Sequence, residues 1–257
     1  MAILLRIIFG NVHHVTIGKQ LSRLQLAREL HIVHDRKKII VALDYDNIES
    51  VIDFVDSIDS ELCRIKIGKE LFTKYGPSIV NNIHEKGFEI FLDLKFHDIP
   101  TTVYKACISA FSLNIWMLNI HLTGGYDMAI SAMNAKKDCQ STSKLIGVTA
   151  LTSLSDHDCI KIYGCKRIDQ LKRLRDIGLE ADIDGFVCSP YDINTLEAED
   201  KIFVTPGIRT NNNPQDHHKV ITPVNALQLG STYLVIGRSI TESSDPTKEL
   251  KEIYQSL

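Results

Sequence analysis

Eight short runs rich in apolar and β-branched residues recur along the chain from Lys38 onward, and helix-length segments separate them. Runs such as IIVAL and YLVIG are apolar almost throughout, which is typical of strands buried on both faces and therefore of a parallel sheet. The separating segments are amphipathic; in the first, Ile48, Val51 and Val55 share one helical face. The predicted strands are Ile39–Leu43, Cys63–Ile67, Glu89–Leu94, Met117–His121, Leu145–Thr149, Gly185–Cys188, Ile202–Thr205 and Tyr233–Ile236.

Eight strand–helix repeats in about 220 residues predict a single-domain α/β fold, the (β/α)8 TIM barrel. A doubly wound sheet usually has fewer strands, and no G-x-G-x-x-G follows the first strand. Asp98-Ile99-Pro100 and Thr222-Pro223 are predicted helix starts, in which a capping oxygen precedes a proline that has no N–H to lose. The predicted barrel domain covers residues 37–257.

Residues 1–36 are predicted to be an N-terminal extension outside the barrel core. The stretch begins with an apolar run, and its basic residues outnumber its acidic ones. Arg-rich, acid-poor amphipathic sequence is typical of an organelle transit peptide. The alternatives are a start codon upstream of the true one and a loosely attached extension.

Composition excludes several classes of function. A formal net charge of −3 on 257 residues provides no basic field for nucleic acid, and no apolar run approaches the roughly 20 residues of a membrane span. The six cysteines form no C-x-x-C pair, and no His cluster has metal-ligand spacing. We therefore expect free thiols, a cytoplasmic location and no metal or other cofactor.

Catalytic groups of such barrels lie where the strands end at their carboxyl side. In this chain those positions carry many polar and charged residues, a pattern that a purely structural barrel does not need. They are Asp44, Lys66, Asp93, Lys95, His121, Thr149, Thr152, Ser189, Arg209 and Arg238.

The segment FLDLKFHDIP carries the densest charge. Asp93 and Lys95 are two apart on a predicted strand, so both should project inward at its end. Asp44 and Lys66 end the first two strands and can complete an alternating array of carboxylates and ammonium groups. Structural salt bridges at the barrel mouth are the alternative. Because buried charges are costly unless they are paired, such arrays are retained more often for chemistry than for stability.

The ordered set VALD, KIG, D-x-K-x-x-D-I-P-x-T, PGIR and IGR closely resembles the orotidine 5′-phosphate decarboxylases from about Lys38 to the C-terminus. D-x-K-x-x-D alone is only moderately specific, since related phosphate-binding barrels share it. The resemblance implies a stand-alone, bacterial-type enzyme without a cofactor. It would convert orotidine 5′-phosphate to uridine 5′-phosphate and CO2, the last step of de novo UMP biosynthesis.

The resemblance also implies roles for the charged residues. Asp93 would lie beside the substrate carboxylate, and Lys95 would be the general acid that protonates carbon 6 of the pyrimidine. Lys66 would pair with Asp93 and contact the ribose, whose hydroxyls Asp44 would bind. Asp98 would reach into the neighbouring subunit's site, which implies a homodimer with shared active sites.

Further residues would bind the nucleotide by resemblance. Thr102 would lie near the same ribose as Asp98, and Thr152 would read the pyrimidine edge. Loops after strands 7 and 8 form the usual phosphate site of such barrels. Gly237 and Arg238 would bind phosphate there, with Arg209 assisting. Arginines can grip phosphate oxygens in bidentate fashion, and Gly207 and Gly237 permit close backbone approach.

One position departs from the family pattern. By resemblance, the Asn-rich stretch Thr210–Gln215 would be the mobile loop that closes over the ligand. Where relatives usually have a glutamine that links phosphate and base, this chain has His217. Gln215 is a substitute two residues earlier but is out of register. His217 can still donate a hydrogen bond, so we expect weakened or pH-sensitive closure rather than loss of activity.

Two other functions remain open at this point. A metal-assisted sugar-phosphate lyase of the same barrel group would usually have an acidic metal ligand where this chain has Lys66. A catalytically silent nucleotide-binding barrel would be expected to lack one of the charged residues, yet all are present. His121 is expected to be a packed, hydrogen-bonded histidine at a strand end, and His97 is not expected to be catalytic.

Overall fold

Eight parallel strands follow one another in sequence order and close into a barrel. The computed structural model describes residues 35–198, 200–210 and 221–257. The first strand pairs with both the second and the last, so that Ile39 is opposite Cys63 on one side and Leu234 on the other. The predicted (β/α)8 barrel is confirmed. Its strands are β1 Ile39–Leu43, β2 Cys63–Gly68, β3 Ile90–Phe96, β4 Met117–His121, β5 Lys144–Val148, β6 Gly185–Val187, β7 Ile202–Thr205 and β8 Tyr233–Ile236.

Helices follow the strands along the chain. In the first of them, Val51, Phe54 and Val55 are buried, as the apolar spacing predicted. They are α1 Ile48–Ser57, α2 Lys69–Tyr75, α3 Pro77–Glu85, α4 Pro100–Phe111, α5 Tyr126–Asp138, α6 Asp156–Tyr163, α7 Arg167–Glu180, α8 Ile193–Leu196, α9 Pro223–Gln228, α10 Arg238–Thr241 and α11 Pro246–Ser256. No helix among the described residues has the length and apolar character needed to cross a bilayer.

The two predicted helix starts differ in how they are capped. Both helices begin at the expected prolines, Pro100 and Pro223. Thr222 caps α9, because its side-chain oxygen accepts a hydrogen bond from the Asn225 N–H (3.3 Å). The expected cap from Asp98 is wrong: the residue before α4 is Ile99, and no side chain caps that helix. The Asp98 carboxylate instead accepts a hydrogen bond from the adjacent Ile99 N–H (2.7 Å).

Strand β3 differs most from its predicted bounds. It continues to Phe96 instead of ending at Leu94, and its pairing with β4 shifts register between Leu92 and Phe96. The shift coincides with Lys95, whose φ is 52°, in the left-handed region that residues with a Cβ rarely adopt. The sequence rule of alternating side chains does not anticipate such an irregularity.

An arginine closes the amino-terminal end of the barrel interior. Arg64 is buried, and its guanidinium lies 4.0 Å from the centre of the Trp116 ring and 5.4 Å from that of Tyr233. Its Nε is 2.9 Å from a carboxylate oxygen of Glu89. These aromatic contacts and the ion pair offset the free-energy cost of removing the guanidinium charge from water. Arg64 is therefore a partnered charge at the end of the barrel opposite to the predicted site.

Candidate active site

Four charged side chains meet at the carboxyl end of the barrel in alternating order. Lys66 Nζ lies 3.4 Å from Asp93 Oδ2 and 3.8 Å from Asp44 Oδ1, and Lys95 Nζ lies 2.5 Å from Asp93 Oδ1. The side chains of Lys66 and Asp93 are only 11% and 12% exposed, whereas Asp44 is open to solvent. The array of carboxylates and ammonium groups is the one that the strand ends predicted from sequence. We call these four residues the charged quartet.

Lys95 contacts Asp93, but its backbone does not have the regular strand conformation that the sequence analysis assumed. Its left-handed φ is accompanied by a hydrogen bond from its N–H to the side-chain Oδ1 of Asn119 on β4 (2.7 Å). The same amide donates through Nδ2 to Asp93 Oδ1 (2.6 Å). Asn119 therefore contacts both Asp93 and Lys95 on β3.

Asn119 is a site residue that the sequence analysis did not assign. It is 1% exposed, on a strand whose other residues are mostly apolar. A buried amide without hydrogen-bond partners is costly, so an asparagine in the middle of MLNIH signals a polar partner in the barrel interior. The sequence carried that signal, but the partners on β3 became identifiable only from the fold.

The environment of Asp93 favours its charged form. Burial by itself would raise the pKa of this carboxyl, but the positive charges of Lys66 and Lys95 oppose that effect. Hydrogen bonds from Lys95 and Asn119 add to them, and the pKa of Asp93 is lowered from its ordinary value. Asp93 is consequently a carboxylate at neutral pH, with an ammonium group on each side.

Two cavities adjoin the charged quartet. The larger, about 970 Å³, extends from Lys66 and Asp93 to the segments after β7 and β8, where Arg209 and Arg238 line it. Gly237 also lines it, and a Cβ built there would lie in van der Waals contact with Asp44, 3.4 Å from its Oδ2. The site thus joins a cationic end, suited to an anion, with a buried acid–base pair.

The smaller cavity, about 140 Å³, lies on the inner side of the quartet. It is lined by Lys66, Asp93 and Lys95, together with Asn119. Its other lining residues are mostly apolar, except that Thr152 contributes to the wall. Polar groups therefore occur on one side of a largely apolar space, an arrangement suited to a flat ring with a polar edge.

The remaining predicted site residues fall into two groups. Asp98 and Thr102 are described and exposed, at the start of α4, and neither lines either of the two cavities of its own chain. His217 and Gln215 lie outside the described residues, as does most of the predicted closing loop. Among the residues that the structure describes, no three His, Cys, Asp or Glu side chains are grouped to hold a metal ion.

His121 is packed and hydrogen-bonded, in agreement with its sequence interpretation. Its Nδ1 lies 2.7 Å from Thr123 Oγ1, which in turn lies 3.2 Å from His97 Nε2. Burial, followed by the positive charges of His97, Lys95 and Lys69, lowers the pKa of His121 to about 4. His121 is therefore neutral at physiological pH, and it links the end of β4 to the segment that carries Asp98.

The low pKa of His121 predicts a specific loss of stability in acid. In the unfolded chain His121 binds a proton below about pH 6.5, whereas in the folded protein it does so only near pH 4. The stability that neutral His121 gives the folded protein is therefore fully present above pH 6.5 and is lost as the pH falls to about 4. Wild type should lose more unfolding free energy than His121→Gln when the pH is lowered from 7.5 to 5. We expect the difference between the two losses to be about 1 kcal/mol, after allowance for solvent screening. Urea titrations at both pH values measure this difference. Equal losses in the two proteins would contradict the prediction.

A family model described as Orotidine 5′-phosphate decarboxylase / HUMPS family matches residues 37–253. The chain belongs to this orotidine 5′-phosphate decarboxylase family. Curated relatives with the name orotidine 5′-phosphate decarboxylase include one from Saccharophagus degradans, 45% identical over 226 residues, which are 86% of this chain and 94% of the relative. Another, from Shewanella sediminis, is 44% identical over 230 residues, which are 87% of this chain and 98% of the relative.

Solved structures resemble the same barrel. The orotidine 5′-phosphate decarboxylase from Lactobacillus acidophilus has a TM-score of 0.75 and 33% sequence identity, over 85% of this chain and 98% of that one. An uncharacterized conserved protein from Geobacillus kaustophilus has a TM-score of 0.71 and 28% identity, over 84% of this chain and 98% of that one. Membership of the decarboxylase family therefore rests on sequence and fold together.

Proposed function

We propose that this chain decarboxylates orotidine 5′-phosphate to uridine 5′-phosphate and CO2, the step that completes UMP biosynthesis. The observation that carries the proposal is the buried Asp93 carboxylate held between the ammonium groups of Lys66 and Lys95. Membership of the decarboxylase family supports the substrate. The reaction needs no electron acceptor, because the bonding pair of the departing carboxylate remains on the pyrimidine ring.

The proposed chemistry uses Asp93 and Lys95 directly. As the bond between carbon 6 and the carboxylate breaks, CO2 leaves and the electron pair stays on carbon 6. Lys95 Nζ then donates its proton to that carbon. Asp93, placed beside the substrate carboxylate, disfavours the bound reactant, while the ammonium stabilises the developing negative charge. The lowered pKa of Asp93 supports this scheme, since only the ionised form repels a carboxylate.

The nucleotide is proposed to lie across the larger cavity. Asp44 and Lys66 of the quartet would bind the ribose hydroxyls, and the phosphate would bind Arg209, Gly237 and Arg238. In the smaller cavity, Thr152 would contact the polar edge of the pyrimidine. We also propose that His217 stands in for the family's glutamine and links the phosphate to the base.

We propose a homodimer in which Asp98 and Thr102 serve the partner's active site. Both residues are exposed and line neither cavity of their own chain, which is what residues donated to a partner's site require. The Ile99 side chain, next to Asp98 in the chain, is 65% exposed. In the proposed dimer the second subunit would cover this apolar side chain.

A decarboxylase assay with pure protein tests the function. Loss of the absorbance of orotidine 5′-phosphate, unchanged by a chelator, is the expected result. A metal-assisted sugar-phosphate lyase of the same barrel group is the competing function. Lys66 argues against it, because an ammonium group 3.4 Å from Asp93 would repel a metal ion bound to that carboxylate. Turnover that stops with the chelator and returns with magnesium would favour the lyase, and binding of uridine 5′-phosphate without turnover would indicate a silent barrel.

Residues 1–36 are proposed to be dispensable for catalysis, because the family match begins at residue 37. A protein that starts at Lys37 should keep the decarboxylation rate and the denaturation midpoint of the full chain. Enzyme assays and urea unfolding of both proteins measure this. Insoluble or inactive truncated protein would show that the segment is structural.

The six cysteines, which form no disulfide among the described residues, support the proposed cytoplasmic location.

A further inference from the structure

The side chain of Asn119 makes two hydrogen bonds, and they are compatible with only one orientation of its amide group. The Asp93 carboxylate can only accept, and the Lys95 backbone N–H can only donate. The amide must therefore direct its nitrogen to Asp93 Oδ1 (2.6 Å) and its oxygen to Lys95 N (2.7 Å). Since the side chain is 1% exposed, water cannot readily replace either bond.

Each bond holds one reacting group. Asp93 Oδ1 accepts hydrogen bonds from both Asn119 Nδ2 and Lys95 Nζ. The amide therefore determines which carboxylate oxygen faces Lys95. The other bond holds the Lys95 backbone where its φ is 52°, a conformation that costs free energy for a residue with a Cβ. From this backbone position the Lys95 side chain turns back toward Asp93.

We propose that Asn119 is a positioning residue, whose amide joins the Asp93 carboxylate to the Lys95 backbone and so sets the geometry of the proton donor. The inference rests on the roles proposed above for Asp93 and Lys95. Asn119 itself transfers no proton. Its effect should appear in the rate of the chemical step, since phosphate and ribose are bound by other residues.

Asn119→Ala removes both hydrogen bonds. We expect kcat to fall about a hundredfold, the loss typical of a reacting group displaced by about 1 Å, with little change in KM. Ser143→Ala is the matched control, since Ser143 is also buried and donates a hydrogen bond to the Ile115 carbonyl near the other end of the barrel. That variant should lose stability but retain kcat.

Asn119→Asp separates positioning from packing, because it keeps the shape of the side chain. In its ionised form the introduced carboxylate would still accept from the Lys95 N–H but would repel Asp93. Adjacent carboxyls share a proton more readily as the pH falls, and the introduced carboxyl, once protonated, can donate to Asp93 as the amide does. The kcat of this variant, relative to wild type, should therefore rise from about pH 8 to about pH 6. Lys66 and Lys95 face Asp93 in both proteins, so the comparison isolates the substituted side chain.

The kinetic parameters of all variants decide the inference. It is overturned if Asn119→Ala keeps kcat within about threefold of wild type, a change well below that of a displaced reacting group. It is equally overturned if the relative activity of Asn119→Asp does not change with pH. Should the alanine variant fail to fold, the aspartate variant alone decides. Lys95→Ala, assayed in parallel, tests the underlying roles: high activity in that variant would refute the proposed function of Lys95 whatever the Asn119 variants do.

Discussion

Lys95→Ala is expected to abolish decarboxylation while the barrel remains folded. The substitution removes the only proton donor proposed for carbon 6, whose developing charge would then have no ammonium beside it. Retention of more than about a tenth of the wild-type kcat, roughly 1.4 kcal/mol in barrier height, would remove Lys95 from that role. Single-turnover rates with orotidine 5′-phosphate give this measurement without interference from product release.

The fold should survive this substitution for two reasons. Asp93 keeps Lys66 as an ion-pair partner (3.4 Å) and Asn119 as a hydrogen-bond donor (2.6 Å). The hydrogen bond from the residue 95 N–H to Asn119 belongs to the backbone and does not depend on the side chain. Lys69→Ala is the matched control, because Lys69 is an exposed lysine that begins α2 and lines neither cavity. It should retain full activity, and equal losses in both variants would indicate a general effect of charge.

Inactive Asp98→Ala and inactive Lys95→Ala proteins should regain activity when they are mixed and allowed to exchange subunits. In the proposed dimer each site takes Lys95 from one subunit and Asp98 from the other. A two-fold axis makes this exchange reciprocal. A heterodimer of the two variants then has one site with both lesions and one wholly wild-type site. With random exchange in an equal mixture, about a quarter of wild-type activity should return.

The opposite assignment gives a different result. If Asp98 served the site of its own chain, every site of the heterodimer would carry one lesion and the mixture would stay inactive. Subunit exchange must therefore be demonstrated independently, for example by mass spectrometry of differently tagged proteins. Demonstrated exchange without recovery would refute the shared site. Each variant taken alone through the same exchange procedure provides the baseline activity.

The barrel could be predicted from sequence because its strands are buried on both faces. Runs such as Ile39–Leu43 are apolar at every position, and the predicted strands differ from the observed ones by at most two residues at any end. The charged quartet could be predicted for a related reason. The carboxyl ends of all eight strands meet at one end of the barrel, so charges at those ends must be neighbours.

The parts that sequence did not predict depend on contacts between strands. The left-handed backbone of Lys95 arises where β3 shifts register against β4, and a rule of alternating faces within one strand contains no such information. Asn119 is missed for the same reason, since its partners lie on the neighbouring strand. The cap expected from Asp98 is wrong because Ile99 separates its carboxylate from the helix.

The partial exposure of Lys95 has a consequence for the chemistry of the surrounding solution. A carboxylate that leaves as CO2 takes no proton with it, whereas uridine 5′-phosphate retains one at carbon 6, so every turnover withdraws a proton from the enzyme. Lys95 would end each cycle as a neutral amine beside the Asp93 carboxylate, which favours its recharging. Because 29% of its side chain is exposed, water can deliver that proton through the barrel mouth. Catalysis should therefore make a weakly buffered solution more alkaline until the released CO2 is hydrated.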